Sequence, residues 1–191
     1  RGAPPQPDEA AGVLAGLVAN GTLTLKQWDH KVEQWIARVN LLAQHCPELG
    51  LPAVTDEARR AIQEQICLGA IAYKDIKERP VWPAVRSWLA PAQHHLVGRH
   101  APERVELSNG RTSKVLYEPG KAPFMALRIQ ELYGVTQPVS VAMGRVRVQV
   151  QILAPNQRPV QITDDLASFW TNYYPAVKKE MQRRYPKHEW R

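Results

Sequence analysis

Long apolar runs are missing from this chain of 191 residues. Nothing in it approaches the ~18 consecutive apolar residues that cross a bilayer. The opening Arg1-Gly2-Ala3-Pro4-Pro5-Gln6-Pro7 lacks the apolar centre of a secretion signal. The expectation is a cytoplasmic protein with no membrane partner. Cysteine is scarce: Cys46 and Cys67 lie 21 residues apart, each inside a helical pattern and neither in a C-x-x-C pair. They read as buried reduced thiols that pack as small apolar groups. An initiating Met is absent and the first residues are rich in Pro, so the chain reads as a fragment of a longer polypeptide.

Catalytic machinery is missing too. Gly120-Lys121 ends like a phosphate-binding loop, but Val115 stands where an earlier glycine is needed and Ala122 where a magnesium-binding hydroxyl is needed. Asp8-Glu9-Ala10 and Asp56-Glu57-Ala58 imitate part of an acidic ATPase box, yet each opens a helix and no His follows. They serve there as first-turn acids that complement the helix dipole. His94-His95 and His100 make no metal site, because adjacent histidines on a regular helix cannot face one ion. Asp164-Asp165 reads as a helix start, and no Ser/His/acid set stands out. The sequence therefore implies no catalytic residue and no cofactor of its own.

What is present is a folded protein's balance, 44% apolar and 23% charged residues, enough for one sizeable or two small domains. The net charge of +7 is unevenly spread. Residues 1–100 carry eleven Lys/Arg against ten Asp/Glu, and residues 101–191 carry fourteen against eight. A nearly neutral half followed by a basic one predicts two units, 1–100 and 101–191, with polyanion contact placed in the second.

Periodicity supports that division. Residues 8–19 and 25–46 predict helices, the second carrying Leu25, Trp28, Val32, Trp35, Ile36, Val39, Leu42 and Ala43 as its stripe. Thr55 predicts the N-cap of a helix reaching about Tyr73, and a further helix is expected from Ala84 to Ala90, ended by Pro91. After Pro102 the period shortens to two. Ser108-Asn109-Gly110 predicts a hairpin, and placing Gly110 in the left-handed region puts Val105, Leu107, Val115 and Tyr117 on one face. A short helix is expected from Pro123 to Gly134 and a strand from Val139 to Ala142. A strong strand follows from Val146 to Leu153 with Arg145, Arg147, Gln149 and Gln151 outward, then another at Val160–Ile162. A final helix bears Leu166, Phe169, Trp170 and Tyr173 inward and is kinked or restarted at Pro175, with Val177 and Met181 inward beyond it. The class is α+β: a helical N-terminal unit, then a small mixed sheet with one short and one C-terminal helix.

The constellation left for function is cationic and aromatic. Lys178, Lys179, Arg183, Arg184, Lys187 and Arg191 outnumber Glu180 and Glu189, with Tyr185, His188 and Trp190 interleaved. Cations neutralise phosphates with release of counterions, and exposed rings stack on unpaired bases. Arg145, Arg147 and Arg158, with Arg111, Lys114 and Lys121, extend the track. The candidate nucleic-acid-binding residues are therefore Arg145, Arg147, Arg158, Lys178, Lys179, Arg183, Arg184, Tyr185, Lys187 and Trp190. The plainer reading of the same residues is a solvated basic face, with the rings in the core.

Several phrases carry a family resemblance. They are Met143-Gly144-Arg145-Val146, Leu153-Ala154-Pro155-Asn156-Gln157-Arg158-Pro159, Asp165-Leu166-Ala167-Ser168-Phe169-Trp170 and Arg183-Arg184-Tyr185-Pro186-Lys187-His188-Glu189-Trp190. Residues 126–134, Ala-Leu-Arg-Ile-Gln-Glu-Leu-Tyr-Gly, add to them. Together they resemble the C-terminal region of the bacterial HrpB-type ATP-dependent helicases of the DExH-box class. The resemblance implies a parent with two RecA-like motor domains that use ATP and magnesium to act on RNA, none of whose ATPase motifs lies here. It further implies an accessory role for this region, with single-stranded or structured RNA, or the motor domains of the same polypeptide, as partners. A protein-interaction module without nucleic-acid contact is the alternative.

Overall fold

The computed structural model describes residues 7–191, with side chains from residue 9 onward; most of the Pro-rich opening lies outside them. Two compact units divide between Val97 and Gly98. No described helix is long and apolar enough to cross a membrane.

The first unit is helical: α1 (Pro7–Ala19), α2 (His30–His45), α3 (Asp56–Cys67), α4 (Tyr73–Ile76), α5 (Trp82–Arg86) and α6 (Pro91–His100), which runs across the division. The stripe expected from Leu25 begins as a helix only at His30. Asp29 is the reason, since its carboxylate accepts from the amides of Lys31 and Val32 and so fixes the N-cap there. Thr55 caps α3 as expected, accepting from the Ala58 amide at 3.1 Å. That helix stops at Cys67 rather than Tyr73, because Gly69 enters the left-handed region at φ +78°. The helix expected to span 84–90 covers only Trp82–Arg86. Pro91, expected to end a helix, instead opens α6. Proline needs no amide acceptor in a first turn, and Gln93 reaches back to the Ala90 amide at 2.8 Å.

Packing in this unit rests on buried Val32, Ile36, Val39, Leu42, Ile62, Ile76 and Val85. Asn40 clamps the Val54 backbone from both sides, and the Trp88 indole donates to the Pro52 carbonyl. Cys46 and Cys67 are buried free thiols, as expected, and burial pushes the Cys67 thiol up.

The second unit carries the sheets. Strands β1 (Arg104–Glu106) and β2 (Thr112–Lys114) form the expected hairpin, and the Leu107 amide donates to the Arg111 carbonyl at 2.7 Å to close a three-residue loop. Gly110 sits at φ +86°, and the register puts Val105, Leu107, Val115 and Tyr117 on one face.

The short helix expected from Pro123 is overturned. Residues Phe124–Arg128 are strand β3, followed by a 3-10 turn at Ile129–Leu132. Met125 and Leu127 are buried while Ala126 and Arg128 are exposed. That alternation has a period of two, and a neighbouring strand claims it: β3 pairs in parallel with β6 (Gln149–Leu153), Met125 beside Val150 and Leu127 beside Ile152.

The long strand expected at 146–153 serves two sheets. Its first part, β5 (Val146–Arg147), pairs with β4 (Ser140–Val141), and β6 pairs with β3 on one side and with β7 (Pro159–Thr163) on the other. Val148, Val150 and Ile152 point inward as expected, while Val146 is only half-buried. A strand bordered on both sides has no open edge, so β6 anchors the unit.

The last helical segment departs from expectation by one residue. Helix α7 (Leu166–Ser168), capped by Asp165, runs through a π-turn at Phe169–Tyr173 into α8 (Tyr174–Arg184). The wider turn absorbs Pro175 and slips the face, so Tyr174 is 7% exposed and Tyr173 is 51% exposed. Leu166, Phe169 and Met181 are buried as expected.

Candidate nucleic-acid interface

Three elements of the second unit meet where β3 and β6 end: the 3-10 turn after Arg128, the turn between β6 and β7, and the final segment 185–191. The hairpin loop joins them, because the Asn109 side-chain amide donates to the Glu131 and Tyr133 carbonyls at 3.0 Å each.

Tyr133 is the hub of this end. Its hydroxyl lies 3.0 Å from that of Tyr174, donates to the Glu189 carbonyl at 3.1 Å and accepts from the Arg191 amide at 3.3 Å. With its one proton given to Glu189, the Tyr174 hydroxyl is the donor of the pair. Burial, then the hydrogen bond to Tyr133, pushes the Tyr174 phenol up. The Arg191 guanidinium stands 5.2 Å from the Tyr133 ring centroid, and Trp170 packs 5.8 Å from Tyr133 and 4.8 Å from Tyr174. A cavity of about 280 Å³ opens here, lined by Tyr133, Gly134, Thr136, Trp170, Tyr174 and Arg191.

A second hollow of about 200 Å³ is lined by Arg111, Arg128, Gln130, Glu131, Pro155 and His188. Both hollows take residues from the 130s and from the final segment.

The residues nominated from sequence fall in several places. Arg145 and Arg147 are exposed at the start of β5. Arg158 is exposed at the far end of β6. Six residues of extended chain separate Arg147 from Leu153, roughly 20 Å. On α8, where each residue turns about 100°, Lys179 and Arg183 face away from buried Tyr174 and Met181. Lys178 and Arg184 flank that buried stripe on opposite sides. Glu180 shares the outer face and holds Arg183 at 2.6 Å. Lys178, Lys179, Arg184, Lys187, Arg147 and Arg158 form no ion pair among the described residues.

The tail aromatics pack on one another. Trp190 donates its indole proton to the Tyr185 carbonyl at 3.0 Å, and the His188 ring lies about 6 Å from both rings. Tyr185 and Trp190 are half-buried and His188 is exposed.

Sequence reasoning missed Tyr133, Tyr174 and the hollow they border. Trp170 and Tyr174 stand at i, i+4 spacing, a signal for one helix face, but the π-turn and the unforeseen strand at 124–128 concealed it.

Lys121 pairs with Glu118 at 2.9 Å. His94 contacts the Arg86 carbonyl through Nε2 at 2.7 Å and packs against Trp35. No group of three His, Cys, Asp or Glu residues suited to a metal occurs among the described residues.

A family model described as ATP-dependent helicase C-terminal matches residues 63–191. The ATP-dependent RNA helicase HrpB of Escherichia coli K12 is 32% identical over 98% of this chain and 24% of its own. The crystal structure of the E. coli DExH-box NTPase HrpB superposes with TM-score 0.82 at 30% identity, covering 99% of this chain and 24% of that one. A second crystal structure, of the E. coli DEAH/RHA helicase HrpB, gives TM-score 0.72 at 31% identity over 98% and 24%. The chain thus spans about a quarter of the length of these relatives.

Proposed function

Because the chain belongs to the ATP-dependent helicase C-terminal family, we propose that it is a noncatalytic accessory region of an ATP-dependent RNA helicase and contacts RNA through its basic second unit. ATP and magnesium belong in this reading to motor domains elsewhere in the polypeptide. The observation that carries it is the meeting of cations and rings at one end of the sheet. Arg111 and His188 border one hollow, and Tyr133, Trp170 and Arg191 border the next. Cations draw in the phosphate backbone and rings accept unpaired bases, so single-stranded RNA is the favoured partner.

The test is binding of a single-stranded RNA oligomer across a salt series. Affinity should fall with a log-log slope of about −0.7 per phosphate contact. Charge reversal at Arg158 and Lys187 should flatten that slope by the contacts removed. Failure to bind at low salt sinks the reading.

Docking on the motor domains is the second reading, and one observation favours it. Val13, Leu68 and Ile71 of the helical unit are 64%, 58% and 55% exposed. Leu68 and Ile71 stand three positions apart in sequence, and large apolar side chains held in water mark a contact surface where they adjoin. Under this reading, polar substitution at Leu68 and Ile71 uncouples the motor's ATPase from RNA without altering RNA affinity.

A further inference from the structure

We propose that the hollow bordered by Arg111, Arg128, Gln130 and His188 is a built receptor for a phosphate group. Its identification with RNA phosphate rests on the reading above; the pocket's chemistry does not.

The inventory of its polar groups is lopsided toward donors. Gln130 carries a buried side-chain Nε2 with no hydrogen-bond partner. A buried amide donor without an acceptor is unfavourable, and Gln130 is among the residues that border the hollow. Arg111 is exposed, and its guanidinium makes neither hydrogen bond nor ion pair among the described residues. It follows Gly110 in the hairpin loop, which Asn109 ties to Glu131 and Tyr133, so a fixed backbone presents it.

Glu131 is the single acid in the lining, and it is already engaged. Its Oε1 accepts from the Arg128 amide at 3.0 Å and from Arg128 Nε at 3.2 Å. That contact neutralises the carboxylate inside the site and fixes the Arg128 side chain, whose terminal nitrogens make no hydrogen bond of their own among the described residues. The ring nitrogens of His188 are likewise without a hydrogen bond there, and the ring is braced by Tyr185 and Trp190. Arg111, Arg128, Gln130 and His188, four residues whose side chains carry N–H donors, thus border about 200 Å³. Guanidinium forks match the oxygens of phosphate, and several donors around one centre favour a tetrahedral anion over a flat one. The volume suits a phosphate with adjoining sugar atoms, not a whole nucleotide.

The probe is inorganic phosphate titrated into the whole chain at low salt, read from the Gln130 side-chain amide resonances by NMR. A saturable shift of those resonances is expected. Arg111→Gln should weaken that binding at least tenfold with the fold unchanged, because the Arg111 side chain holds no structural bond. Lys31→Gln, exposed on α2 of the helical unit, should leave it intact. A Gln130 amide that does not respond at saturating phosphate, or an Arg111→Gln chain that binds phosphate as well as the parent, overturns the proposal.

A second arm separates the sources. Single-stranded RNA with a 5′-phosphate that binds at least fivefold tighter than its 5′-hydroxyl counterpart identifies a terminal monoester, and equal binding with the Gln130 shift retained identifies a backbone diester. RNA that binds without moving Gln130 sinks the receptor and leaves the RNA reading standing. Phosphate that shifts Gln130 in a chain that ignores RNA does the reverse.

Discussion

The hydroxyls of Tyr133 and Tyr174 lie 3.0 Å apart, joining the end of the 3-10 turn to the first residue of α8 across 41 positions of sequence. Tyr133 also holds Glu189 and Arg191, so its one oxygen fixes where the final segment runs. The edges of both hollows depend on it.

Tyr133→Phe keeps the ring beneath Arg191 and removes that oxygen. The loss should cost about 1 to 2 kcal/mol, because the Tyr174 hydroxyl and the tail amide of Arg191 are left without their partner. Amide hydrogen exchange should show residues 186–191 exchanging faster while β6 keeps its protection. Unchanged protection of the tail would mean that the aromatic packing alone holds it.

Tyr174 links stability to alkaline pH. Its folded-state pKa is raised, chiefly by burial, so its contribution is complete below the unfolded value of about 10 and is lost as pH rises toward the folded value. Thermal melts from pH 8 to 11 should fall more steeply for the parent chain than for Tyr174→Phe. Equal slopes would place the alkaline loss on other groups.

Glu33 and Arg59 set the opposite limb in the helical unit. Arg59 holds the Glu33 carboxyl below its usual range through two hydrogen bonds of 2.6 and 2.8 Å, and the Trp28 indole adds a third at 2.6 Å. A depressed carboxylate stabilises above its unfolded pKa, about 4.3, and that stability is lost as pH falls through the folded value. Glu33→Gln should cost about 1 kcal/mol at pH 7, discounted for partial exposure, and less at pH 2. Urea melts at the two pH values check it.

Met143 occupies the left-handed region at φ +59° in the turn between β4 and β5, half exposed. Met143→Gly removes a steric cost of about 1 kcal/mol, so the variant should match or exceed the parent in melting temperature. Gly110 sits at φ +86°, and a Cβ added there would meet nothing within 4 Å, so Gly110→Ala should cost about 1 kcal/mol through backbone strain alone. A larger loss there would indicate a clash that the open surroundings do not provide.

Local chemistry in the sequence was sufficient for much of the fold. Thr55 supplies a cap, Gly110 a left-handed turn, and the alternation of Val148, Val150 and Ile152 a strand, and each acts through neighbours a few residues away. The contrast between a neutral half and a basic one was legible for the same reason, since a count needs no coordinates. Residues 124–128 were not. Phe124, Leu127 and Leu132 fit a helix as well as a strand, and the choice was made by β6, which lies more than twenty residues away and offers Met125 and Leu127 a buried parallel register.

The candidate site divides along the same line. Composition established that the second half is basic and that its final segment mixes cations with rings. Which of them meet was left to packing. It parted Arg147 from Arg158 by the length of β6, turned Lys178 and Arg184 to opposite flanks of α8, and brought Arg111, Arg128, Gln130 and His188 around one hollow. Charge is a property each residue carries with it, whereas a receptor requires residues distant in sequence to be held within a few ångströms, and that proximity is supplied by strand pairing and by the hydroxyl of Tyr133.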